Sequence, residues 1–99
     1  MFVERIEIVL PCFADPWKIR MIAYLNGSPD LKEIAEAFNA RYSESLGVVL
    51  VHLGIREVNF FVNDKVTIRM VNDVEEGKKL VNSMLAMSDH KQILKEITK

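Results

Sequence analysis

Between Gly47 and Val71 the chain carries three short runs rich in β-branched and aromatic residues, V-V-L-V-H-L, R-E-V-N-F-F-V and K-V-T-I-R-M-V, parted by turn residues. This pattern predicts a three-stranded antiparallel meander. Asn63-Asp64 stand between the second and third runs. Both tolerate positive φ, which a two-residue primed turn requires. Gly54 with Ile55-Arg56 predicts a looser first turn. In the third run Val66, Ile68 and Met70 alternate with Lys65, Thr67 and Arg69, the mark of a half-buried strand. In the second, Val58, Phe60 and Val62 oppose Glu57, Asn59 and Phe61, so Phe61 falls on the polar face. The first is apolar on both faces apart from His52, which predicts a strand central in the sheet or covered on both sides.

The flanking segments supply the rest of the layers. Val3–Leu10 reads as a strand with Ile6, Ile8 and Leu10 on one face, stopped by Pro11. Cys12–Trp17 is a loop carrying an Asp15-Pro16 turn signal. Lys18–Leu25 reads as a helix begun by Asp15 and Pro16 or as a strand; its shortness and the Asn26-Gly27 turn that follows favour the strand. Ser28 as cap, Pro29 in the first position, and the negative charge of Asp30 and Glu33 near the positive end then mark a helix start. Leu31, Ile34, Ala35, Phe38 and Tyr42 form its apolar stripe, ending around Arg41–Ser45. Asp73-Val74-Glu75-Glu76 starts another helix, with Val74, Gly77, Val81, Met84 and Leu85 inward and Asn82 outward. Ile93, Leu94 and Ile97 fall on a different side, which predicts a break near Ser88-Asp89 and a separate terminal helix over 88–99. The element order is ββαβββα plus that helix. It predicts an α+β fold, a mainly antiparallel sheet with helices packed on one face.

Composition narrows the function classes. Ninety-nine residues predict one domain over 1–99. The single cysteine, Cys12, excludes an internal disulfide framework and a cysteine-only metal or cluster site, and points to a reducing cytoplasm. Net charge of −1 and a pI near 6.1 argue against nucleic-acid binding. No apolar run approaches the ~20 residues of a membrane span, and Met1–Arg5 lacks a signal-peptide layout. Hydrophobic content of 49%, with five methionines, hints at a self-association surface.

No stretch carries a strong catalytic pattern. Cys12 as a nucleophile needs a base in reach, and neither His52 nor His90 is placed near it by spacing. His52, inside an apolar run, reads as a satisfied structural histidine; His90 reads as a solvated helix-start residue. Asp15, Lys18 and Arg20 cluster around the loop. On the strand reading Lys18 and Arg20 share a face that suits a phosphate or carboxylate, while Asp15 pairing would make them structural. Asp73, Glu75 and Glu76 are explained by the helix dipole rather than by a metal. Phe13, Trp17 and Phe61 suit an interface and a core equally. No glycine-rich phosphate loop occurs.

The segment Leu10-Pro11-Cys12, Ala14-Asp15-Pro16, Lys18-Ile19-Arg20, Ile22-Ala23 resembles the opening of a small domain found in archaeal, largely methanogen, proteins of unassigned function. The helix from Asp30 to Asn39-Ala40 and the acidic start Asn72–Gly77 extend the resemblance over roughly residues 8–86. In those proteins the domain often precedes a cysteine-rich segment resembling binders of a four-iron–four-sulfur cluster. Cys12 is the one cysteine here, so no cofactor, metal or cluster is expected in this chain. The resemblance implies an accessory or docking domain. The expectation is a cytoplasmic interaction module, not an enzyme. It would form a homo-oligomer or dock on a protein partner such as an iron–sulfur or cofactor protein, through the sheet edge, the terminal helix or the Cys12–Arg20 loop. The alternative is a small-anion-binding protein or minor enzyme with Cys12, Asp15, Lys18 and Arg20 at its site.

Overall fold

The computed structural model describes the backbone of residues 1–97 and the side chains of residues 1–90. Six strands and two helices follow in the order β1 (Val3–Pro11), β2 (Ile19–Leu25), α1 (Leu31–Phe38), β3 (Arg41–Ser43), β4 (Val48–Leu53), β5 (Arg56–Phe61), β6 (Lys65–Val71) and α2 (Val74–Ile97). The strands make one antiparallel sheet in the order β1-β2-β6-β5-β4-β3, and both helices cover the same face. The α+β class and the meander of β4, β5 and β6 are as the alternation predicts.

The core is built from alternate residues of the strands. Met21, Ala23 and Leu25 of β2, Val66 and Ile68 of β6, Val58 and Phe60 of β5 and Val49 and Val51 of β4 point at the helices and are buried. Leu31 and Ile34 of α1 and Val81, Met84 and Leu85 of α2 close over them. Each of these apart from Ala23 stabilises by about 1.5–3 kcal/mol relative to exposure. Gly77 lets α2 approach the sheet: a Cβ there would stand 2.5 Å from Met21 Sδ. The Asp73 cap forms as expected, its carboxylate accepting from Glu76 N at 2.8 Å. Glu76 in turn accepts from Asn72 N and from Arg56 Nη2, the latter at 2.6 Å, tying α2 to β5.

Several expectations are corrected. The first helix starts at Leu31 with Asp30, not Ser28, as its cap; the Asp30 carboxylate accepts from Glu33 N at 3.2 Å. It ends at Phe38 because Asn39 adopts a left-handed conformation, φ 49°, with its N–H returned to Ala35 and Glu36 carbonyls. Tyr42, placed by its spacing on the helical stripe, instead lies on β3, where Arg41–Ser43 pair with Leu50–Val48. β4 is therefore the penultimate strand, covered by helix on one face only, and His52 is exposed.

Two-residue turn geometry is absent at Asn63-Asp64. Val62, Asn63 and Asp64 form the connection, neither Asn63 nor Asp64 has positive φ, and the Asn63 side chain accepts from Lys65 N at 3.0 Å. Val62 lies outside β5 and is exposed rather than facing the core. Asn82, expected outward, is half buried and its carbonyl accepts from Val3 N at 2.8 Å, anchoring the start of β1. The predicted break at Ser88-Asp89 is absent, since α2 continues to Ile97; the side chains of Ile93, Leu94 and Ile97 lie outside the described residues.

β-Bulges explain the remaining differences. Register shifts bracket Glu4 and Glu7 on β1. An extra residue flips every later side chain to the other face. Ile6 therefore faces the core opposite Ala23, whereas Ile8 and Leu10 sit on the open face beside Ile22 and Arg20. A third shift lies where Arg69 pairs with Arg20 and Val71 with Ile19, leaving Met70 as the extra residue at φ 63°. Met70 is thus displaced from the face of Val66 and Ile68, and Val71 takes the buried place.

Candidate functional site

The four residues expected to share a site do not converge. Cys12 is 3% exposed, and its N–H donates to the Lys18 carbonyl at 3.0 Å, closing the β1–β2 loop. Asp15 is used inside the loop: its side chain accepts from Trp17 N and its carbonyl from Lys18 N, both at 3.0 Å. Lys18 donates its ammonium to the side-chain carbonyl of Asn72, before α2. Arg20 alone turns onto the open face of the sheet, with its guanidinium 5.0 Å from the centre of the Phe13 ring. Loop closure thus accounts for Cys12, Asp15 and Lys18.

What this end of the molecule does present is apolar surface. β1 is an edge strand, so one row of its backbone N–H and C=O groups has no strand partner among the described residues. Its first half is protected by the two bulges and by Glu4, Arg5 and Glu7. Its second half, Ile8-Val9-Leu10, pairs regularly with β2, carries no charge, and leaves those residues 38%, 44% and 43% exposed. The loop beyond adds Phe13 at 90% and Trp17 at 87%. Of the three aromatics singled out by the sequence, Phe13 and Trp17 are exposed on this one loop, while Phe61 lies on β5 under Lys65.

The open face has its own pattern. Cross-strand register sets Leu10, Arg20, Arg69 and Glu57 in one row and Ile8, Ile22, Thr67 and Asn59 in the next. Arg5 lies over the Tyr24 ring at 4.1 Å. The Tyr24 phenol is held above its ordinary pKa, by desolvation first and then by the Glu7 carboxylate. Glu76, on the covered side, is held below the ordinary carboxylate value by the Asn72 N–H foremost and by Arg56 and Lys18 further.

Sequence reasoning missed Ile8, Val9 and Leu10 as surface, and Arg69 as a neighbour of Arg20. The uncharged triplet after Glu4, Arg5 and Glu7 was a readable signal; the bulges that set Ile8 and Leu10 on the open face were not. Among the described residues no group of three or more His, Cys, Asp or Glu side chains is arranged to hold a metal ion, and no helix is long and apolar enough to cross a membrane. Compared with protein-family models, with curated proteins and with solved structures, the chain matches none.

Proposed function

We propose that this chain is an interaction module that associates through the second half of β1 and the adjoining loop, with a second copy of itself as partner. The observation that carries the reading is the uncharged, regular, exposed edge Ile8-Val9-Leu10 ending on Phe13 and Trp17. A free strand edge binds by strand addition, backbone bonds giving affinity and alternate side chains giving fit. Antiparallel pairing about a two-fold axis at Val9 sets Val9 against Val9 and Ile8 against Leu10 of the partner copy. The patch is then apolar against apolar, as a closed two-fold contact requires. The buried Cys12 and the dispersed Asp15, Lys18 and Arg20 favour this reading over an active site in the loop. An accessory role beside an iron–sulfur protein is supported by the resemblance of the Leu10–Ala23 segment alone.

Light scattering on the purified chain, across a concentration series, tests the proposal. A dimer that becomes a monomer on Val9→Lys is the expected result. A strict monomer at all concentrations, or a dimer indifferent to Val9→Lys, Ile8→Glu and Trp17→Ser, would refute it.

A further inference from the structure

The open face beside β1 holds a concavity of about 380 Å³ lined by Ile8, Leu10, Ile22, Arg20, Arg69 and Thr67. That volume lies within the range of small-molecule sites. Its two halves differ in chemistry. Ile8 and Leu10 are exposed and Ile22 half buried, so the β1 side offers apolar contact. Arg20 and Arg69 are directly opposed across β2 and β6, two like charges on one face. Among the described residues the carboxylate that pairs with this couple is Glu57, which meets Arg69 at 3.4 Å. Arg20 Nε is buried and has no hydrogen-bond partner among the described residues, although its guanidinium is oriented by stacking on Phe13. A guanidinium fork beside an aromatic ring and opposite a second guanidinium suits a planar or tetrahedral oxyanion.

We propose that this concavity binds a small amphiphilic anion, its carboxylate or phosphate head between Arg20 and Arg69 and its apolar body along Ile8, Leu10 and Ile22. The head group bridges the two guanidiniums and screens them from one another. The body covers apolar surface that the helices leave open. The site shares Ile8 and Leu10 with the association proposed above, but its charged half, Arg20 on β2 and Arg69 on β6, lies on the face of the sheet away from the edge backbone, so the arginine variants test it separately.

Isothermal titration with octanoate and with octyl phosphate tests the site. Octanol, octylammonium and inorganic phosphate serve as probes lacking one half of the chemistry. Either octyl anion is expected to bind at least about tenfold more tightly than all three of these probes. Whichever of the two is tighter distinguishes a carboxylate from a phosphate source. Arg20→Gln and Arg69→Gln are each expected to weaken that binding about tenfold with circular dichroism unchanged, and Arg20→Lys to recover part of it. Arg41→Gln, on the far edge, is expected to leave it unchanged. Octanol binding as tightly as octanoate, inorganic phosphate as tightly as octyl phosphate, or retained affinity in both glutamine variants would overturn the proposal.

Discussion

The two edges of the sheet show opposite treatments of the same hazard. At one end β3 is three residues long, begins with Arg41 and exposes a short ladder. At the other, β1 is nine residues long; its first half is blunted by bulges and charge, and its second half is flat, uncharged and apolar. Unprotected strand edges invite pairing, and chains usually shorten, charge or bend them. Here all three devices are in use, yet all are missing from Ile8-Val9-Leu10. The difference locates the surface at which a partner strand would add.

The comparison can be broken or sharpened by substitution. The largest effect is expected away from both edges. Phe60, fully buried in β5, supports the whole sheet, and Phe60→Ala should cost about 3–5 kcal/mol, lowering thermal and urea midpoints together. Association and stability would then fail together, whereas an edge change should separate them. Val9→Lys should leave a folded monomer, because Val9 is 44% exposed, while weakening self-association by about 3 kcal/mol, since the two-fold buries an unpaired charge. Sedimentation at several concentrations reads the association, and circular dichroism the fold.

A smaller effect is expected at Glu76, which ties α2 to β5. Glu76→Gln should cost about 1 kcal/mol by weakening the cap and the Arg56 pair. Because the folded-state pKa of Glu76 lies below its ordinary value of 4.5, its contribution is present above that value. It is lost as pH falls through the depressed folded-state value. Denaturation midpoints of the parent and the variant should therefore converge as pH falls below about 4.5. Smallest of all, Arg41→Lys on the β3 edge, at an exposed position, should change stability by less than about 0.5 kcal/mol and association not at all.

The sheet was legible wherever hydrophobic alternation and local turns agree. Val66 and Ile68 against Thr67 and Arg69 gave β6, and Asp73 with Glu76 gave the start of α2. It was not legible where a single residue interrupts the period. Glu7 and Met70 are ordinary side chains, and nothing local marks them as extra residues in a ladder. Their bulges reverse Ile8, Leu10 and Val71 and so decide which apolar residues face water. Tyr42 misled because its distance from Phe38 suits a helix, while Asn39 ends the helix by adopting the left-handed region. The candidate site was readable only in part: Arg20 sits where a ligand could meet it, but Arg69, remote in sequence, joins it solely through the β2–β6 register.

Disulfide trapping tests the β1 edge most directly. With Cys12 replaced by alanine, Val9→Cys places one thiol on the expected two-fold axis, where facing Cα atoms stand about 4.5–5.5 Å apart, within reach of a disulfide. Mild oxidation should then yield a covalent dimer that retains the parent's circular dichroism, and Ser43→Cys in the same background should stay monomeric. A monomeric Val9→Cys protein, or cross-linking equal at the two edges, would contradict the assignment of β1 as the associating strand.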